Sequence, residues 1–179
     1  MPNVAPAAQR SAVPVWPLQS DLAAMRKLFG NPDANGDGSA DPQWVARHLT
    51  TIVPPYRMIY GNAPVRKITV NTACAKALLA ALVGIKTHYG TQEAIERAGV
   101  HRFGGLYNFR VKRGNANSLS MHAYACAIDL DPEHNQFLSS HGTMPAAVVS
   151  IFKDQGAEWG GDWSPASRDP MHFQFARTR

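Results

Sequence analysis

The sequence predicts an α+β domain in which a small antiparallel sheet packs with helices. Three observations predict it. Apolar residues recur at three and four positions from Ala73 to Tyr89, a shorter run from Met144 to Gln155 is bracketed by helix start and stop signals, and short β-prone segments lie between turn residues. With 179 residues, 45% hydrophobic and 17% charged, the chain has the size and composition of one compact domain.

Residues 1–19 contain Pro2, Pro6, Pro14 and Pro17 with little periodicity, and read as an extended arm; a single domain is expected over residues 20–179. Leu22, Met25 and Leu28 or Phe29 share one helical face, so Asp21 to Phe29 is expected to be helical, capped by Ser20 and ended by Gly30. Arg66 to Val70 alternates around β-branched residues and reads as a strand leading into the main core helix, Ala73 to Tyr89. Ala125 to Leu130 and His172 to Phe175 are the other strand candidates. Between them, Thr143 as cap, Pro145 in the first turn and Gly156 as stop define the helix Met144 to Gln155.

The longest apolar run, Ala77 to Ile85, is far too short to span a bilayer, so no membrane insertion is expected. Residues 1–19 lack a basic segment followed by an apolar one, so a cleaved secretory signal is not expected either. Cys74 and Cys126 match no zinc-finger or redox spacing and read as buried small hydrophobes. The net charge of +5 favours a polyanionic partner such as nucleic acid, an anionic membrane or a cell-wall polymer. A nucleic-acid binder would cluster cations with exposed aromatics, whereas the one basic cluster here, Arg102 to Arg113, lies just upstream of the candidate site.

Two imidazoles and a carboxylate, His122, Asp129 and His172, form a three-ligand set suited to one catalytic zinc ion with a fourth position open. Period-two alternation tests the spacing. It puts Ala125, Ala127 and Asp129 on one face of their strand, opposite Cys126, Ile128 and Leu130, and His172 with Gln174 opposite Phe173 and Phe175. Each strand thus offers one ligand and one apolar back. Asp169, three residues before His172 and followed by Pro170, is the natural general base of an amide hydrolysis. Arg110 and Arg113 suit a substrate carboxylate, and read equally as a solvated basic stretch with Arg102 and Lys112.

The ordered set Ser120-Met-His122-Ala-Tyr-Ala-Cys-Ala127-Ile-Asp129, then Trp159-Gly-Gly-Asp-Trp163, then Asp169-Pro-Met-His172-Phe-Gln, resembles the VanY-like family of zinc peptidases. That family holds D-Ala-D-Ala carboxypeptidases and L-alanyl-D-glutamate endopeptidases, and the likeness runs from about Phe29 to Phe175. It implies His122, Asp129 and His172 as zinc ligands, Asp169 as catalytic acid-base, Arg110 and Ser120 as substrate-site residues, and a fold related to the Hedgehog zinc module. Ala125 stands where the family usually carries Gly. Asp169 replaces the Glu of the dipeptidase branch and is similar to the L-alanyl-D-glutamate endopeptidase branch.

The expected function is therefore hydrolysis of peptidoglycan stem peptides, most simply as an endolysin-like L-alanyl-D-glutamate endopeptidase. By analogy with phage lysins, the protein would be a monomer made in the cytoplasm that reaches the wall after release. The alternatives are a D-Ala-D-Ala carboxypeptidase and a wall-binding module that keeps the zinc fold without turnover. Asp169 argues against the last, since a binding module needs no carboxylate there. A second oxygen-rich loop, Asp33, Asn35, Asp37, Ser39 and Asp41 with Gly38 at its sixth position, matches the first part of a calcium loop. Trp44 stands where the bidentate Glu belongs and Pro42 with Gln43 promises no strong exiting helix, so calcium is not expected.

Overall fold

A computed structural model describes residues 13–140 and 142–179. It contains helices α1 (Leu22–Phe29), α2 (Pro42–His48), α3 (Thr72–Tyr89), α4 (Gln92–Arg97) and α5 (Ala146–Lys153). The strands are β1 (Leu49–Ile52), β2 (Ile59–Tyr60), β3 (Ala63–Pro64), β4 (Ile68–Asn71), β5 (Phe103–Gly105), β6 (Val111–Lys112), β7 (Asn115–Leu119), β8 (Ala127–Leu130), β9 (Glu158–Trp159) and β10 (His172–Gln174). A single 3-10 turn covers Gly160–Asp162. The α+β expectation holds. The main sheet has the order β5-β8-β10-β9 with every pair antiparallel, and β1-β4, β2-β3 and β6-β7 form three two-stranded ladders. Among the described residues no helix is long and apolar enough to cross a membrane.

The core lies between α3, α5 and the apolar face of the sheet. Helix α3 buries Cys74, Ala77, Leu78, Ala81, Leu82 and Ile85, the three-and-four pattern visible in the sequence. A Cβ on Gly84 would stand 2.8 Å from Ile151, so the missing side chain is what lets α5 lie this close. From α5, Phe152 stacks on Phe173 of β10 with centroids 4.2 Å apart. Both cysteines are free and buried, and burial pushes the Cys74 thiol up to about 12, as inert core residues require.

The element ends differ from the sequence reading for identifiable reasons. Asp21, not Ser20, caps α1 through its carboxylate and the Ala24 N–H. Asn71 ends β4 and caps α3, so the strand runs one residue beyond Val70 and starts two after Arg66. Its amide also donates to the Phe29 and Tyr124 carbonyls, tying α1, α3 and the segment before β8 at one buried point. Thr143 caps nothing: a residue before proline avoids the α region, which excludes Met144, and Pro145 itself is extended (ψ 135°), so α5 begins at Ala146. Strand β8 begins at Ala127 because Ala125 has a left-handed φ of 52°.

Two larger differences concern segments read as irregular. Pro42 does start a helix, α2, since its missing N–H costs nothing in the first turn and Asp41 caps the N–H groups of Gln43 and Trp44. Trp44 then buries its indole and donates to the Phe29 carbonyl, which fixes α2 against the end of α1. The arm, where described, is not free. Trp16 is buried between Phe29 and Phe175, Leu18 bridges Arg177, and the Arg177 guanidinium donates to the Trp16 carbonyl. The rest of the arm, residues 1–12, lies outside the described residues.

Candidate metal centre and its cleft

Antiparallel register brings the site together. His172 of β10 sits directly across from Asp129 of β8, and Phe173 across from Ile128, so the faces expected from alternation are the faces observed. His122 arrives from the turn before β8, where the Ser120 hydroxyl accepts from the His122 N–H and Ala125 returns to the His122 carbonyl. The two imidazole centroids are 5.0 Å apart. The Asp129 carboxylate lies between them, 3.3 Å from His122 Nε2 and 3.0 Å from His172 Nδ1. One ligand atom from each of the three falls within 4.8 Å of the others, and this is the one such His/Cys/Asp/Glu cluster among the described residues.

The outer ring nitrogens are already committed. His122 Nδ1 is 2.7 Å from the Leu106 carbonyl and must carry its proton there, which leaves the Nε2 lone pair facing Asp129. His172 Nε2 is 3.1 Å from Gln174 Oε1, and the Gln174 amide is held the right way round by donating to the Ala176 carbonyl. Its Nδ1 therefore faces inward. Two imidazoles locked as acceptors with a carboxylate between them fit a tetrahedral zinc ion holding one further ligand. Burial pushes the Asp129 carboxyl up, but with a proton also on the inward nitrogens of His122 and His172 the two imidazoles outweigh it and hold the group well below the usual carboxylate range, and it is that inward proton that a metal ion would displace.

Asp169 is placed by its backbone. Its N–H donates to the Gly160 carbonyl and its own carbonyl accepts from His172 N–H, a tight turn over Pro170. A Cβ at Gly160 would come within 2.4 Å of the Asp169 carbonyl, so only glycine permits this contact. Trp159 closes the turn from below, donating to the Pro170 carbonyl, while the Trp163 ring leans on His172 at 5.3 Å. Asp169 Oδ1 is buried and finds no hydrogen-bond partner among the described residues. Burial first, with a contribution from Asp129, pushes this carboxyl up to about 6 against the lowering influence of His172. A carboxyl so placed takes and returns a proton near neutral pH.

Two clefts meet at the cluster. One, of 590 Å³, contains Asp169, His172, Trp163, Ser120, Arg113 and Lys112, together with Gln19 and Arg179 from the two chain ends. The other, of 480 Å³, lies on the far side of His122 and Asp129 beneath the β2-β3 hairpin. Arg110 lines both. Its position follows from the β6-β7 hairpin, turned at Arg113-Gly114, which returns the Ser120 N–H to the Arg110 carbonyl. Arg113 lies over the Phe137 ring at 4.6 Å. The oxygen-rich loop is elsewhere: Asp33 accepts from Gly38 N–H, Asp37 accepts from Asn35 and Ser39, and Asp41 caps α2.

The groups that orient the two imidazoles leave little mark in the sequence. Gln174 was legible as a face-mate of His172 without a role, whereas the Leu106 carbonyl left no signal, because every residue has one. Gly114-Asn115 is a turn signal that could have marked the hairpin setting Arg110 beside Ser120, a hairpin absent from the sequence expectations.

Residues 113–175, about one third of the chain, match the family model described as D-alanyl-D-alanine carboxypeptidase. No curated protein and no solved structure matches the chain.

Proposed function

We propose that this chain, whose residues 113–175 match the D-alanyl-D-alanine carboxypeptidase family model, is a zinc peptidase acting on peptidoglycan that cleaves an internal stem-peptide bond, between L-alanine and D-glutamate. The observation that carries this reading is the pair of clefts meeting at His122 and Asp129, which lets substrate extend both ways from the reacting bond. A carboxypeptidase needs room for only one residue beyond that bond. Here the Asp169 side is a 590 Å³ cleft with Arg113, Lys112 and Arg179 on its walls, space and charge for a longer anionic leaving peptide.

His122, Asp129 and His172 would hold a zinc ion, which when bound would supply Lewis acidity and a lowered pKa for water. Asp169 takes a proton from the attacking water and returns it to the departing amine. Arg110 and Arg113 pair with carboxylates of the leaving peptide, and the Ser120 hydroxyl shapes the wall beside His122. Wall hydrolysis makes an endolysin-like role the natural setting, with the protein acting outside the cytoplasm.

The test is mass spectrometry of purified peptidoglycan after incubation with the zinc-loaded protein, with His122→Ala as the blank. New termini at L-Ala and D-Glu are expected. Release of terminal D-Ala alone would instead assign the carboxypeptidase activity, and a wall unchanged by the native protein would leave a binding module.

A further inference from the structure

The cleft beneath the β2-β3 hairpin enters the reading above only as room for substrate on the far side of the cluster, and its lining up to and including Arg110 lies outside the family-matched segment. Its place relative to Asp169 gives it a direction. The group that returns the proton must lie beside the departing amine, so the leaving half of the substrate occupies the Asp169 cleft and the acyl half is sent across the cluster. If the bond cut is L-Ala–D-Glu, a reading on which this inference rests, the acyl half is one alanine amide-linked to the lactyl group of a muramyl sugar. Very little peptide lies there.

The lining suits such a group. Tyr60, 61% exposed on the hairpin, meets Phe103 edge-on with centroids 6.3 Å apart, and Tyr107 adds a third ring to the same cleft. Faces of this kind pack against the C–H surface of a pyranose while its hydroxyls stay free to hydrogen-bond. Lys67 and Asn108 provide donors for hydroxyl and acetamido oxygens. The floor is bare backbone: a Cβ on Gly105 would meet nothing within 4 Å, so a flat ring can come close. The hairpin is anchored, since Ile59 donates to the His101 carbonyl and bridges Arg102 beside the edge strand β5.

Charge divides the same way. Arg113, Lys112 and Arg179 line only the Asp169 cleft, where free carboxylates of the leaving peptide would lie, whereas Lys67 is the one cation confined to the far cleft. A neutral N-acetylated sugar matches the second better than an anionic peptide does. We propose that the cleft formed by Tyr60, Lys67, Phe103, Gly105, Tyr107 and Asn108 binds the muramyl sugar attached to the acyl-side alanine, making glycan-linked stems the preferred substrate over free peptides.

The experiment compares kcat/KM of the zinc-loaded full chain on N-acetylmuramyl-L-Ala-D-Glu-L-Lys and on the N-acetyl peptide of identical sequence. The muramyl substrate is expected to be cut about tenfold more efficiently, and Tyr60→Ala to bring the ratio of the two values close to one, with Tyr60→Phe restoring it. Equal kcat/KM on both substrates with the native protein, or an unchanged ratio in Tyr60→Ala, overturns the sugar subsite while leaving the endopeptidase reading standing. A protein that cuts neither substrate but releases D-Ala from a pentapeptide overturns the endopeptidase reading, and the sugar subsite with it.

Discussion

The segment from Arg113 to Phe175 and the longer stretch before it divide the candidate site unequally. The later segment carries the clustered side chains of His122, Asp129 and His172 and the buried carboxyl of Asp169. The earlier stretch supplies backbone and framework, with the Leu106 carbonyl holding His122, Asn71 tying the Tyr124 carbonyl to α1 and α3, and β5 flanking β8. Chemistry needs particular residue types and therefore shows in a motif. Orientation needs only a carbonyl in the right place, which many sequences can deliver.

If that division is real, variants in the two regions should fail differently. The largest effect should come from Asp169→Ala, which is expected to lose turnover by roughly 10²- to 10⁴-fold while binding zinc as the native protein does, measured by kcat on a stem peptide beside metal content. Normal turnover in that variant would remove Asp169 from the mechanism. Leu78→Ala, in the earlier region, opens a cavity on the buried face of α3 and should cost about 2–5 kcal/mol in denaturant unfolding, with one zinc still bound per folded chain. Here the support fails and the chemistry survives.

Gln174→Ala sharpens the contrast inside the later segment, because it removes the acceptor that fixes the His172 ring and leaves all three ligands in place. Zinc affinity by chelator competition should fall about 10- to 100-fold. Unchanged affinity would mean that β10 alone sets the ring. The smallest effect is expected at Ala125: glycine would relieve its left-handed backbone but give up a buried methyl group. The net change in unfolding free energy should stay within about 1 kcal/mol.

The sequence made α3 legible because its buried residues keep a strict helical period, and made β8 and β10 legible because an inward polar residue alternates with large apolar ones. It hid α2, since a start built from Asp41 and Pro42 needs no preceding apolar pattern and its one buried anchor is Trp44. It hid β5 as well, where Phe103, Gly104 and Gly105 carry almost no β signal; a Cβ at Gly104 would stand 2.8 Å from that of Asp129, so the glycine serves close approach to β8. The three residues of the cluster were readable. That Asp129 would stand between both imidazoles was not, because it depends on the register of two strands and a turn far apart in sequence.

The clasp between the two chain ends bears on how the protein is assembled. The Arg177 guanidinium reaches the Trp16 carbonyl across 161 positions, and the Trp16 indole reaches the Gln155 carbonyl across 139. Contacts of that separation close long loops, whose entropic cost grows slowly with length, so both depend on the rest of the domain to bring their partners together. Gln19 and Arg179 stand on the wall of the Asp169 cleft, and Gln19 accepts from Lys112 there. That wall of the Asp169 cleft is thus assembled from residues far apart in sequence. Losing the contacts between Trp16 and Arg177 would open that wall to solvent while the His122, Asp129 and His172 cluster, held by β8 and β10, stayed intact.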